Sequence, residues 1–164
     1  MEIERKFTIK HLPENLAQYP CHIIEQAYLN TDPVVRIRRQ DDEYYLTYKG
    51  RGLMVREEYN LPLNRDSYFH LREKADGNVI TKKRYVIPIS HPTFMSDDTG
   101  FIDQISLFVE LDIFEAPFAP LIIAEVEFPD EAAANAFLPL DWFDQDVTND
   151  PSYHNSTLSR KRVI

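Results

Sequence analysis

MEIERK, residues 1–6, decides how the rest of the chain is read. Glu2, Glu4 and Lys6 alternate with Ile3, Arg5 and Phe7. In a β-strand, side chains two apart share a face. Two carboxylates and an ammonium therefore line one face of this strand, while Ile3 and Phe7 lie on the other. A strand of a soluble protein often has a charged side that faces only water, and this strand taken alone reads that way. Whether other strands repeat the pattern settles the matter.

The bulk properties bound the answer. A chain of 164 residues fits one domain, 1–164, with a sizeable core. The formal net charge of -9 disfavours non-specific nucleic-acid binding, which needs a basic surface, though it leaves room for a local basic pocket. Cys21 is the only cysteine, so an intramolecular disulfide and a thiolate metal site are excluded, and a small buried thiol is expected. No apolar run reaches the roughly 18 residues of a membrane span, and the first residues lack the apolar core of a signal peptide. The expectation is a cytoplasmic protein with no membrane partner. There is no P-loop and no Gly-rich dinucleotide fingerprint, so any phosphate site must be built from side chains.

Strands are expected at 2–9, 21–30, 34–40, 43–49, 53–63, 78–89, 105–115 and 121–128, where β-branched and aromatic residues alternate with polar ones. Helices are expected at 12–19, with Pro13 near its start, at 65–75, capped by Asn64 and ended by Gly77, and at 129–137, opened by Pro129 and acidic residues. A short helix is expected near 152–160, and residues 90–104 read as an irregular loop. Tight connections between about eight strands predict an α+β, mainly β chain: a closed eight-stranded antiparallel barrel with a few helices packed outside.

The alternation of MEIERK recurs in this set. Arg36 and Arg38 share a face, as do Thr47 and Lys49, then Arg56, Glu58 and Asn60, then Lys82 and Arg84, then Glu110 and Asp112, then Glu125 and Glu127. Two barrels satisfy this pattern. In one, the apolar faces fill the interior and the charges meet water; in the other, the apolar faces lie under a coat of helices and the charges line a tunnel. Burying charge without partners is costly, which disfavours the second. Three features favour it. The helices carry apolar stripes that need a surface to cover. The charged faces contain almost none of the Ser, Asn and Gln that dilute solvated faces. The charges also balance and segregate by strand, with Lys6, Arg36, Arg38, Lys49, Arg56, Lys82 and Arg84 against Glu2, Glu4, Glu58, Glu110, Asp112, Glu125 and Glu127. At 4 Å and an effective dielectric of 20, one such pair attracts by about 4 kcal/mol. A basic side facing an acidic side suits a polyanion held through a divalent metal.

At this point the chain resembles the CYTH superfamily, the triphosphate tunnel metalloenzymes. The resemblance rests on ExExK (Glu2, Glu4, Lys6), VRIR (Arg36, Arg38), YLTYKG (Lys49) and VREEY (Arg56, Glu58). It continues through KKRY (Lys82, Arg84), ELDIF (Asp112), AEVEF (Glu125, Glu127) and the ending DVTNDPSYHNSTL. It differs from the family pattern at Asn60, where a glutamate is usual, at Asp146, also usually glutamate, in the turn EAPFAPL, which usually has a glycine, and in a long 90–104 stretch.

The resemblance implies an eight-stranded tunnel, a linear triphosphate substrate, and Mg2+ or Mn2+ as cofactor. Short bacterial members resemble inorganic tripolyphosphatases, so hydrolysis of tripolyphosphate is the leading expectation. The alternatives are a nucleoside or thiamine triphosphatase, an adenylate cyclase, or a non-catalytic polyphosphate- or nucleotide-binding module. Hard carboxylates favour Mg2+ or Mn2+ over zinc. On this reading Glu2, Glu4 and Glu127 hold a first metal. Glu58 and Glu125 hold a second or orient the attacking water, and Asp112 is a ligand or stands behind one. Lys6, Arg36, Arg38, Lys49, Arg56, Lys82 and Arg84 bind phosphate oxygens, with Lys82 the first choice to deprotonate water. The histidines, His154 among them, show no ligand spacing and read as surface or core residues. Tyr153 and Asn155 read as packing and hydrogen-bonding anchors. The oligomeric state stays open, a homodimer included.

Overall fold

The computed structural model describes residues 1–95 and 105–162. Its strands are β1 (Glu2–Ile9), β2 (Cys21–Thr31), β3 (Val34–Gln40), β4 (Glu43–Lys49), β5 (Val55–Arg56), β6 (Glu58–Leu63), β7 (Asp76–Pro88), β8 (Phe108–Phe114), β9 (Ile122–Glu127) and β10 (Phe143–Asp146). The helices are α1 (Arg65–Arg72), α2 (Glu131–Ala136) and α3 (Asn155–Arg160). All strand pairings are antiparallel, in the order β10-β1-β9-β8-β7-β2-β3-β4-β6, with β5 returning to β1. Since β5 and β6 are one run broken at Glu57, the staves of the barrel are the eight expected from the sequence.

The break has a geometric cause. A closing strand must serve two neighbours at different tilts. Residues 58–63 pair with β4, whereas Val55 and Arg56 pair with Ile3 and Glu2. The unforeseen β10 pairs with the rest of this edge of β1, opposing Phe7 and Ile9 with Asp146 and Phe143. The Lys6 N–H donates to Thr148 Oγ1 at 3.0 Å, and the Val147 N–H donates to the Lys6 carbonyl at 2.8 Å.

The apolar faces point outward. Phe7, Val109, Leu111, Ala124 and Val126 pack under α2 with Ala133, Ala134 and Phe137, and burying one such phenylalanine contributes about 1.5–3 kcal/mol. Ala27, Ile37 and Tyr68 form the contact beneath α1. Asn64 caps α1 as expected, its Oδ1 accepting from the Ser67 N–H at 2.8 Å, and Asp130 caps α2 through the Ala133 N–H at 2.7 Å. Arg5, on the outer face of β1, donates to the carbonyls of Ala134 (3.0 Å) and Phe137 (2.7 Å), which the end of α2 leaves without helical partners. Inside, an apolar plug of Tyr28, Val34, Ile80, Phe114 and Ile123 meets Leu158 of α3, which closes that part of the barrel.

Four local expectations change, the first being Cys21, whose thiol is exposed rather than buried. Residues 12–19 form only a single 3-10 turn at Leu16–Gln18, because Asn15 turns left-handed (φ 56°) just before it. The expected 65–75 helix ends at Arg72. Gly77 is not its stop but the second residue of β7, at φ 73°. The described part of 90–104 includes a bridge between Phe94 and Phe137, while residues 96–104 lie outside the described residues. Among the described residues no helix is long and apolar enough to cross a membrane.

Gly77 lies where α3 docks, and a Cβ there would meet the Ser159 carbonyl oxygen at 2.1 Å. Gly77→Ala is therefore expected to lower unfolding stability by roughly 1–3 kcal/mol and to loosen α3. Urea denaturation with amide exchange at residues 155–160 checks this, and an unchanged midpoint with full α3 protection would refute it.

Candidate active site

The polar faces of the staves turn inward onto a cavity of about 220 Å³. Its lining includes Glu2, Glu4, Lys6, Arg36, Arg38, Lys49, Arg56, Glu58, Arg84, Glu110, Glu125 and Glu127. Register brings these residues together from distant parts of the chain: Glu4 opposes Glu127 and Lys6 opposes Glu125 across β1 and β9. Glu2 opposes Arg56, Lys49 opposes Glu58, and Arg84 opposes Asp112.

The interior cations fall into two classes. One class is matched by carboxylates. Lys49 Nζ lies 2.9 Å from Glu2 and 3.3 Å from Glu58. Lys6 Nζ sits 3.9–4.0 Å from Glu125 and Glu4. Arg84 donates from Nε and Nη2 to the two oxygens of Asp112 at 2.7 and 2.8 Å, and from Nη1 to Glu110 at 2.6 Å. The other class is unmatched. Arg36 and Arg38 are only 5% and 6% exposed, yet among the described residues neither has a carboxylate within ion-pair distance, and Arg36 Nε has no hydrogen-bond partner. Arg56 donates from Nε only to the Gly50 carbonyl, at 3.0 Å. Buried guanidinium groups without counter-charge form an anion site.

The carboxylates divide as well. Burial is the largest influence on Glu2 and, opposed by Lys49 and aided by Glu58, pushes it up to about 7. Burial also acts upward on Glu58, but the hydrogen bond with Glu2, the Lys49 charge and Asn60 outweigh it and hold Glu58 down at about 2. A second pair behaves alike: burial, Glu125 and Glu2 hold Glu4 well above the carboxylate range. Glu125, which burial would raise, is held well below that range by Lys6, Arg84, Lys82 and a hydrogen bond with Glu4. Glu127 is raised by burial and by Glu110 and Glu58. In each of the two pairs one carboxyl group is raised and its partner lowered.

Among the described residues no three His, Cys, Asp or Glu side chains converge as a ready-made cage for a metal ion. The donor chemistry nevertheless fits a hard divalent cation. Glu2, Glu4 and Glu127 are oxygen donors whose carboxyl groups are raised mainly by burial and by neighbouring carboxylates, a penalty that a bound cation would relieve.

Lys82 and Asp112 do not line the cavity. Both are fully buried, with Lys82 Nζ 2.7 Å from Asp112 and donating to Asn155 Oδ1 at 3.3 Å. Burial brings the Lys82 ammonium down to about 7, helped by Arg84 and Arg38 and opposed by Asp112. Asp112 stays below the ordinary range against the upward push of burial, because Arg84 grips it.

The sequence reading left Gln26, Tyr28, Tyr45 and His154 out of the site. The structure puts Tyr28, Tyr45 and His154 in the lining, and Gln26 behind Arg38. His154 immediately precedes α3 and is pushed down to about 4 by burial and then by Lys6, Arg56 and Lys49. The motif DVTNDPSYHN gives no spacing signal for this; only the docking of α3 reveals it. Asn60 accepts from Thr47 Oγ1 at 2.6 Å and donates to Glu58 at 3.2 Å, so it orients that carboxylate. Asp146 lies outside the tunnel, accepting from Arg5 at 2.8 Å and from the Thr148 N–H at 3.0 Å.

The sequence profile of the CYTH domain matches residues 1–133. An inorganic triphosphatase from Nitrosomonas europaea is 35% identical over 162 residues, 96% of each chain. A second inorganic triphosphatase, from Acetivibrio thermocellus, is 31% identical over 161 residues, covering 96% of this chain and 92% of the relative. A crystal structure of an inorganic triphosphatase superposes with a TM-score of 0.67 at 31% identity, covering 99% of this chain and 96% of the other.

The splitting of the Glu2–Glu58 pair is directly measurable. The Glu2 carboxyl resonance is expected to titrate near 7, and Lys49→Met to move that midpoint upward, since Lys49 favours the ionised form. A Glu2 midpoint in the ordinary carboxylate range, or a downward move in the variant, would contradict the arrangement.

Proposed function

The chain belongs to the CYTH domain family, and from that premise we propose that it hydrolyses a linear triphosphate, with inorganic tripolyphosphate as substrate and Mg2+ or Mn2+ as cofactor. One observation carries this reading: three guanidinium groups with no carboxylate within ion-pair distance among the described residues, Arg36, Arg38 and Arg56, share a tunnel with carboxylates held above their ordinary range. A chain of phosphates answers the first group, and a divalent cation answers the second. Within this lining the inorganic relatives match the chemistry, because it is polar and cationic where a phosphate chain would lie. The profile match ends at 133, but β10 pairs with β1 and α3 supplies His154 and Asn155, so the working unit extends through the C-terminal segment to cover 1–164.

Each residue has a part in this reading. Arg36, Arg38 and Arg56, with Lys6, Lys49 and Arg84, hold the phosphate oxygens; the arginine forks suit bidentate contacts. Glu2, Glu4 and Glu127 would hold the cation, which when bound neutralises phosphate charge and aligns it for in-line attack. Glu58 and Glu125 remain ionised at neutral pH, so they are suited to accept hydrogen bonds from an attacking water or to hold a second cation. Asn60 and Lys49 fix Glu58 in place. Lys82 and Asp112 act from behind the wall: Asp112 orients Arg84, and Lys82 joins Asp112 to Asn155, which ties α3 to the barrel.

The test is phosphate release from tripolyphosphate, ATP and thiamine triphosphate with Mg2+ or Mn2+. Turnover of tripolyphosphate above the others, abolished by EDTA, is expected. Binding without turnover of any of the three would instead identify a binding module. Glu4→Gln is expected to lower metal-supported kcat/KM by at least about 100-fold, and unchanged activity would remove Glu4 from the cation's ligands. Arg38→Ala is expected to weaken tripolyphosphate binding by roughly 10- to 100-fold and orthophosphate binding less. Equal losses for both ligands would argue against a chain of phosphates laid along the arginines.

A further inference from the structure

Two arginines of the tunnel are gripped by the same edge, and their anchors differ in charge. Arg84 presents Nε and Nη2 to Asp112, at 2.7 and 2.8 Å. Arg38 presents the same two nitrogens to a single oxygen, Gln26 Oε1, at 3.0 and 2.6 Å. Gln26 stands directly across from Arg38 in the β2–β3 register and is completely buried. Which end of the amide faces Arg38 is dictated by chemistry, since guanidinium nitrogens only donate and the amide nitrogen only donates. A fork closing on one acceptor fixes the plane of the guanidinium. Tyr45, opposite Arg38 in the β3–β4 register, is its other side-chain partner, and no carboxylate among the described residues lies within ion-pair distance of Arg38, which lines the cavity.

The anchor is a poor one by the standards of stability alone. Among the described residues Gln26 Nε2 has no hydrogen-bond partner despite full burial, and an orphaned buried donor costs about 1–3 kcal/mol. A glutamate of nearly the same shape would give Arg38 a charged acceptor and leave no orphaned donor. It would also cancel the charge, as Asp112 does for Arg84. The neutral amide gives direction without neutralisation.

We propose that Gln26 is a positioning residue that aims the Arg38 guanidinium into the tunnel while leaving its charge uncompensated, and so sets the affinity for a highly charged phosphate chain. This rests on the triphosphatase reading for its substrate, but the anchor itself is a property of the free protein.

Three variants test it: Gln26→Glu, Gln26→Met and Arg38→Ala, with the two position-26 changes also made in the Arg38→Ala background. Gln26→Glu keeps the fork and cancels the charge. It is expected to raise KM for tripolyphosphate about tenfold, the equivalent of one lost charge-assisted contact, with kcat largely retained because the loss is one of uniform binding. Gln26→Met keeps the volume and removes the acceptor, and is expected to raise KM by a smaller factor. In the Arg38→Ala background neither change is expected to alter KM. Thermal unfolding reports whether each variant is folded. The Arg38 Nε–H resonance of the substrate-free protein gives a readout independent of turnover: protected from exchange in wild type and Gln26→Glu, unprotected in Gln26→Met. A wild-type KM in folded Gln26→Glu would overturn the proposal, because a spacer or a simple hydrogen-bonding role predicts that result. So would an undiminished effect in the Arg38→Ala background. If the wild-type protein turns over no triphosphate, the functional reading fails, and Arg38 Nε–H protection that persists in Gln26→Met would then overturn the anchor on its own.

Discussion

Charge taken out of water must be answered by charge, and that constraint organises this barrel. Lys6, Lys49, Lys82 and Arg84 each meet a carboxylate inside the wall, at distances from 2.6 to 4.0 Å. Arg36, Arg38 and Arg56 do not, and they stand where an anion is required. Turning the polar faces inward also turns the apolar faces outward, where they cannot be left to water. The helices follow from this: α1 covers Ala27 and Ile37, and α2 covers Phe7, Leu111 and Val126. Arg5, the one charged residue of β1 on the outer face, caps the carbonyls at the end of α2.

Among the carboxylates, one residue type is tuned to two states by its surroundings. Against burial, Glu58 and Glu125 are held below the ordinary carboxylate range by hydrogen bonds to their raised partners and by Lys49, Lys6 and Arg84, whereas burial and neighbouring carboxylates raise Glu2, Glu4 and Glu127. Separating carboxyl groups in this way assigns them different chemistry within a few ångströms. Two of the four places where the chain differs from the usual family pattern gain a physical account as well. Asn60 bridges Thr47 and Glu58, steadying a carboxylate rather than adding one. Asp146 works outside the tunnel, where it needs to reach only Arg5 and Thr148.

Much of this was legible because β-structure has a period of two. Glu2, Glu4 and Lys6, then Arg36 and Arg38, then Glu125 and Glu127, announce a shared face whatever the tertiary arrangement. The limits of the reading lie where long-range contacts override local pattern. The segment 53–63 reads as one strand, yet it breaks at Glu57 because its two halves pair with different neighbours. Residues 143–146 carry little strand signal and become β10 because β1 leaves an open edge there. Gly77 reads as a helix stop and is instead a strand position where α3 leaves no room for a Cβ.

The sequence by itself determined which side chains share a face, because alternation is local, whereas the order of the staves, with β1 beside β9 and β2 beside β7, came from the tertiary structure. The sequence also determined the inventory of charges from which a site for phosphates and a hard cation is built. Only the tertiary structure decided which charges are answered and which are free, because pairing depends on register between strands far apart in the chain. That is why Lys82, alike in sequence to the lining lysines, sits behind the wall. It is also why His154 enters the tunnel with α3, and why Gln26, one amide in a run of strand residues, has Arg38 in its grip.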